Sequence, residues 1–187
     1  MKLITGLGNP EKKYLETRHN VGFLFVDALR EKFLYQKGLN ITEWEEDDMF
    51  NSELCFLKEG SKVVAIFQKP LTYMNKSGEA VAKILRKFDI EDLDRNFILI
   101  HDDLDIPLGK FKIQLGKSPQ GHNGVKNVED RVGSTEFKRV RIGVEAREDK
   151  NIPGEDYVLM KFSKDEREIM DEVIQTSIQG ILADILL

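Results

Sequence analysis

Two of the three histidines in this 187-residue chain stand directly before an asparagine, in Thr17-Arg18-His19-Asn20 and Gly121-His122-Asn123-Gly124. Histidine titrates near neutral pH, so a neutral imidazole at such a turn can take a proton from water. The third, His101, precedes Asp102 at the end of the apolar run Phe97-Ile98-Leu99-Ile100. A carboxylate there can accept from an imidazole N–H, fix its tautomer and stabilise the imidazolium as it forms. His19 and Asp102 are therefore a candidate base and its partner. Asn75, within Lys69-Pro70-Leu71-Thr72-Tyr73-Met74-Asn75-Lys76-Ser77-Gly78, carries a carboxamide that can orient a water or donate to a developing oxyanion. Asn9, in Gly6-Leu7-Gly8-Asn9-Pro10, offers one acceptor and two donors, which suits a peptide unit. The chain has no Gly-x-Ser-x-Gly elbow and no cysteine placed as a nucleophile. The simplest hydrolytic chemistry is attack by a water that histidine activates.

Each of these residues also has a plain reading. His19 could cap a helix, Asn75 could mark a helix entry, and Tyr73 and Met74 could be core or the wall of a cleft. Gly6-Leu7-Gly8 lacks the third glycine of a dinucleotide loop, and Pro10 interrupts the approach to any helix. The three carboxylates of His101-Asp102-Asp103-Leu104-Asp105 would suit Mg²⁺. No calcium-loop spacing or second acidic motif supports that, so no metal is expected. Asp103 and Asp105 read as turn residues before Pro107 and Gly109.

The elements that must position these groups follow from periodicity. Leu3-Ile4 reads as a strand ending in the glycine turn. Gly22 to Phe33 reads as an amphipathic helix. Strands are expected at Glu53–Leu57 and Lys62–Gln68, joined by a turn at Glu59-Gly60. A helix runs from a Ser77 cap to Lys87. Phe97–Ile100 suits a strand buried on both faces. A half-wet strand at Lys110–Leu115, a helix at Asn123–Val132, a strand at Lys138–Val144 and a helix from Ser163 complete the pattern, and an apolar C-terminus follows. Strands mixed with helices predict one α/β domain over residues 1–187, with a mostly parallel or mixed central sheet whose strand ends carry the ligand site.

Hydrophobic content of 41% and charged content of 33% argue against disorder. No apolar run reaches the ~18 residues of a membrane span. The run after Met1-Lys2 lacks the features of a signal peptide, so a cytoplasmic location is expected. The single Cys55, among Leu54, Phe56 and Leu57, excludes an intrachain disulfide and reads as a buried thiol. The net charge of −5 argues against a nucleic-acid partner, but its distribution does not. Acids cluster at Glu43, Glu45, Glu46, Asp47 and Asp48. Eight basic residues lie between Lys110 and Arg141 against three acids, which allows a local basic face.

Taken together the strings resemble the bacterial peptidyl-tRNA hydrolase family. The match runs in order from Gly6–Pro10 with Tyr14, through Thr17–Phe23, Lys69-Pro70, Asn75–Gly78, His101–Asp105 and Gly121–Gly124, to Arg139–Gly143 and Tyr157–Ser163. The resemblance implies an α/β domain with a mixed sheet flanked by helices, of phosphorylase/hydrolase-like type. It implies hydrolysis of the ester joining a peptide's C-terminus to the terminal ribose of tRNA, with no cofactor, by a monomer. On this pattern His19 is the base and Asp102 its partner. Asn9 and Asn75 hold the peptide carbonyl and the attacking water, and Asn123, with Asn20, contacts the tRNA 3′ end. Tyr14, Tyr73, Met74 and His122 complete the substrate-binding set, and Lys112 and Arg141 contact tRNA phosphates. The alternative is a non-catalytic RNA-binding relative of the family, against which the intact His19 and Asp102 stand. Three positions depart from the pattern: Glu11 in place of a glycine, Lys117-Ser118-Pro119-Gln120 in place of a glycine-rich gate, and Gln114 at a position that is often basic.

Overall fold

The computed structural model of the protein describes residues 1–116 and 121–186. The expected gate at Lys117–Gln120 lies outside the described residues. In chain order the elements are β1 (Lys2–Gly6), α1 (Val21–Phe33), β2 (Asn40–Ile41), β3 (Glu45–Asp47), β4 (Ser52–Glu59), β5 (Lys62–Pro70), α2 (Ser77–Lys87), α3 (Leu93–Asn96), β6 (Phe97–Pro107), β7 (Phe111–Leu115), α4 (Asn123–Val132), β8 (Lys138–Glu145), α5 (Gly154–Tyr157) and α6 (Lys164–Leu186). The sheet order is β2-β4-β5-β1-β6-β8-β7, with β3 pairing β4. β1 lies parallel to β5 and β6, and β6 parallel to β8. β4 runs antiparallel to β5 and β7 antiparallel to β8, so the sheet is mixed, as expected.

Both faces of the sheet are covered, which explains the apolar runs. Successive strand side chains point to opposite faces. Ile4, Phe67, Ile98 and Ile100 meet Phe25 and Leu29 of α1 and Met170, Ile174 and Ile178 of α6. Leu3, Ile66, Phe97 and Leu99 meet Val81 and Ile84 of α2 and Val125 and Val128 of α4. Each such side chain contributes about 1.5–3 kcal/mol of burial. Ile181 and Ile185 of the apolar C-terminal run join the core on the α6 face, while Leu186 is exposed. Cys55 is fully buried, and burial pushes its thiol up to about 12.

Three local expectations need correction. Ser77 does not cap α2: it is the helix's first residue, and its Oγ donates to the Met74 carbonyl at 3.0 Å. β6 does not end at Ile100, because pairing with β8 carries it past Asp102 (opposite Ile142) and Asp103 (opposite Gly143). Asp103 is accordingly a buried strand residue and not part of a turn. By contrast, Ser163 and Glu166 form a reciprocal capping box at α6. Ser163 Oγ accepts from the Glu166 N–H at 3.3 Å, and Glu166 Oε2 accepts from the Ser163 N–H at 2.7 Å.

The C-terminal ends of the parallel strands β1 and β5 open to one edge, where the loops Leu7–Pro10 and Leu71–Lys76 emerge. Glycine brings α1 against the first of these loops. A Cβ on Gly22 would lie 2.4 Å from the Leu7 nitrogen, and one on Gly6 would lie 2.1 Å from the Gly22 carbonyl oxygen. That close approach sets the turn carrying His19 beside the middle of β6.

Candidate active site

Residues Arg18–Asn20 form a single 3-10 turn leading into α1. The His19 N–H donates to the Val158 carbonyl at 2.8 Å, and His19 Nδ1 lies 2.8 Å from Asp102 Oδ1. His122 reaches the same oxygen from the other side. As the N-terminal cap of α4, its Nδ1 accepts from the Val125 N–H at 3.2 Å. That nitrogen must keep its lone pair, so the proton of neutral His122 sits on Nε2, which donates to Asp102 Oδ1 at 3.0 Å. An ionised carboxylate only accepts, so His19 Nδ1 also carries a proton. The His19 Nε2 is then the basic nitrogen, in the tautomer general-base chemistry needs.

The electrostatics agree. Burial disfavours charge on His19, but the Asp102 charge and hydrogen bond outweigh it and raise its pKa above the ordinary histidine value. Burial would raise the Asp102 pKa, yet the two imidazoles that bind it, His19 and His122, hold it far below the carboxylate range. His101 is fully buried, and its Nδ1–H donates to the Asp102 backbone carbonyl at 2.6 Å. Burial drives its pKa well below the ordinary histidine value, so it stays neutral. His101 is a packing neighbour that the sequence did not separate from the other two.

A cleft of about 930 Å³ gathers Asn9, Tyr14, His19, Tyr73, Met74, Asn75, Asp102, His122 and Asn123. Asn9 Oδ1 accepts from the Met74 N–H at 2.9 Å, so what its carboxamide can still give a ligand is its N–H donors. Asn75 is exposed in the 3-10 turn Met74–Lys76. Tyr73 donates its hydroxyl to Glu11 Oε1 at 2.7 Å, a bridge between the two loops made by the departing residue Glu11. Leu104, Pro153, Val158 and Leu159 add an apolar part to the lining. Sequence reasoning missed it, because α5 is too short to leave a periodic signal.

Two expected site residues fall elsewhere. Asn20 is fully buried: its Oδ1 accepts from the Asn9 N–H and its Nδ2 donates to the Asn9 carbonyl, both at 2.9 Å. It holds the Asn9 backbone and does not line the cleft. Arg141 is 6% exposed, with Nε on Asp103 Oδ2 at 2.6 Å and Nη1 on Gln114. It is therefore buried and paired, where the resemblance implied an open phosphate contact. Its cross-strand neighbour Lys112 is exposed. Of the other basic residues there, Arg131, Lys138 and Arg139 pair with Glu79, Asp184 and Glu129, whereas Lys110 and Lys126 are exposed.

His19, Asp102 and His122 bring three metal-type ligand atoms within 4.8 Å of one another. The donor set does not fit an ion there. A metal on His122 Nε2 would need the lone pair that the Val125 N–H confines to Nδ1.

Residues 3–186 match the family model described as peptidyl-tRNA hydrolase. A peptidyl-tRNA hydrolase of Exiguobacterium sibiricum is 41% identical over 98% of this chain and 89% of its own. One of Thermodesulfovibrio yellowstonii is 38% identical over 97% and 91%. The crystal structure of peptidyl-tRNA hydrolase from Acinetobacter baumannii superposes with a TM-score of 0.79 at 28% identity, covering 99% of this chain and 94% of that one.

Proposed function

The chain belongs to the peptidyl-tRNA hydrolase family, and from that premise we propose that His19 activates the water that cleaves peptidyl-tRNA. The reaction hydrolyses the ester between the peptide's C-terminus and the 3′-terminal ribose, releasing peptide and tRNA. His19 Nε2 takes a proton from water as its oxygen bonds to the ester carbonyl carbon. Asp102 stabilises the imidazolium, and the N–H donors of Asn9 and Asn75 stabilise the oxyanion. When the bond between the carbonyl carbon and the ribose 3′ oxygen breaks, His19 returns the proton to that oxygen. Tyr14, Tyr73 and Met74 border the acyl group, with Asn123 at the tRNA end. Lys112 supplies a phosphate contact that positions the tRNA without reading its sequence.

The observation that supports this best is the single Asp102 oxygen accepting from two imidazoles, which leaves His19 Nε2 basic. The reading takes the enzyme as a monomer, supported by the burial of Ile181 and Ile185 in its own core. Among the described residues no helix is long and apolar enough to cross a membrane. The test is hydrolysis of N-acetyl-aminoacyl-tRNA against free aminoacyl-tRNA, with chelator present. Cleavage of the blocked substrate alone, lost in His19→Ala, is expected. A His19→Ala protein cleaving at the wild-type rate would overturn the assignment, and a well-folded wild type that binds tRNA without turnover would point to the RNA-binding relative.

A further inference from the structure

Arg18, the residue before the base, is 4% exposed and lies outside the cleft. Its Nη2 donates to both oxygens of Glu166, at 2.6 and 2.7 Å. Its Nη1 donates to the carbonyls of Met160 and Lys161, at 3.1 and 2.8 Å. The guanidinium carbon stands 4.1 Å from the Tyr157 ring centre and 5.2 Å from that of Phe162. All of these partners belong to the stretch 157–166. The backbone of that stretch supports the histidine turn: Arg18 N–H donates to the Met160 carbonyl at 3.2 Å, His19 N–H to Val158 at 2.8 Å, and Phe162 N–H to Glu16 at 3.3 Å. The other side of the same stretch lines the cleft through Val158 and Leu159.

A planar guanidinium that sends Nη2 to a carboxylate and Nη1 to two carbonyls is directional and rigid, unlike an ammonium. Glu166, its partner, is also the capping residue of the 23-residue α6. The turn is thus fastened to the longest element of the fold through one side chain. A buried guanidinium is weak evidence for stability, and here its Nε has no acceptor. Alignment accounts for the arrangement better. We infer that Arg18 is a positioning residue for the proposed base: clamped to 157–166, it fixes the turn so that His19 meets Asp102 at 2.8 Å with Nε2 toward the substrate. This rests on the hydrolase reading above.

Arg18→Lys keeps the charge and loses the fork, while Glu166→Gln keeps the shape and loses the ion pair. Each is measured on N-acetyl-aminoacyl-tRNA beside wild type and His19→Ala. We expect kcat to fall on the order of 10–10²-fold, the range in which small misplacements act, with KM little changed. The pH–rate midpoint should fall, because the Asp102 contact that raises the His19 pKa is loosened. In a His19→Ala background Arg18→Lys should cost nothing further, since both act through one imidazole. The His19 titration midpoint, read by NMR in Arg18→Lys and Glu166→Gln, should fall likewise, and this readout needs no turnover. The inference is overturned if the variants lose only thermal stability, with kcat per folded molecule and both midpoints at wild-type values. It is also overturned if the losses add to that of His19→Ala. Wild type without turnover would instead count against the hydrolase reading, leaving the NMR midpoint to decide the role of Arg18.

Discussion

Asp102 Oδ1 holds two imidazoles, and its replacement makes the sharpest residue-scale prediction. Asp102→Asn presents an amide that can donate, which invites the wrong His19 tautomer. We expect kcat to fall by about 10²–10⁴-fold with the fold intact. The sign of the pH effect follows from the cause. His19 must be neutral to act, so wild-type activity is lost as pH falls through a pKa raised above the ordinary value. Without the Asp102 charge only burial remains, and the midpoint moves down; an unchanged pH–rate profile would contradict this role for Asp102. Asn20→Leu removes both hydrogen bonds to the Asn9 backbone and should cost about 1–3 kcal/mol in chemical denaturation, together with activity. That His19, Asp102, Asn9 and Asn75 would share one cleft was legible because polar groups of these types at turns and strand ends have few other uses. Asn20 was misplaced because its role depends on Asn9, which only the fold brings alongside it.

At the scale of elements, α4 carries His122 and Asn123 at its N-terminus and is pinned to β8 by the fully buried Arg139, paired with Glu129. Arg139→Ala removes this buried ion pair and should destabilise the protein by about 3–5 kcal/mol, measurable in urea denaturation. A Glu129→Gln partner mutation sharing much of that loss would identify the pair as the cause. Helix ends show why some elements were legible and others not. Ser163 has Glu166 three residues on, so the capping box is complete, whereas Ser77 has Ala80 there and no reciprocal partner. The paired two- and three-residue strands β2 and β3 and the four-residue α5 are too short to show a period, and long-range pairing fixes them.

For the whole molecule, the net charge of −5 conceals an uneven surface. Binding to tRNA should weaken steeply with salt, and Lys112→Ala should reduce the slope by about one phosphate contact. Arg141→Ala should leave the slope near wild type and lower stability, since its guanidinium belongs to Asp103 and Gln114; a flattened slope would restore it as a phosphate contact. Nothing in the residue order separates these two neighbours, because exposure is decided by the pairing of β7 with β8. The three histidines have a last consequence. They are the only ones in the chain, and their rings form one cluster, His19 and His101 lying 5.0 and 4.9 Å from His122. Every imidazole resonance in a spectrum of this protein therefore arises at a single place. Unlabelled protein carries its own reporter, with no background signal from the rest of the surface.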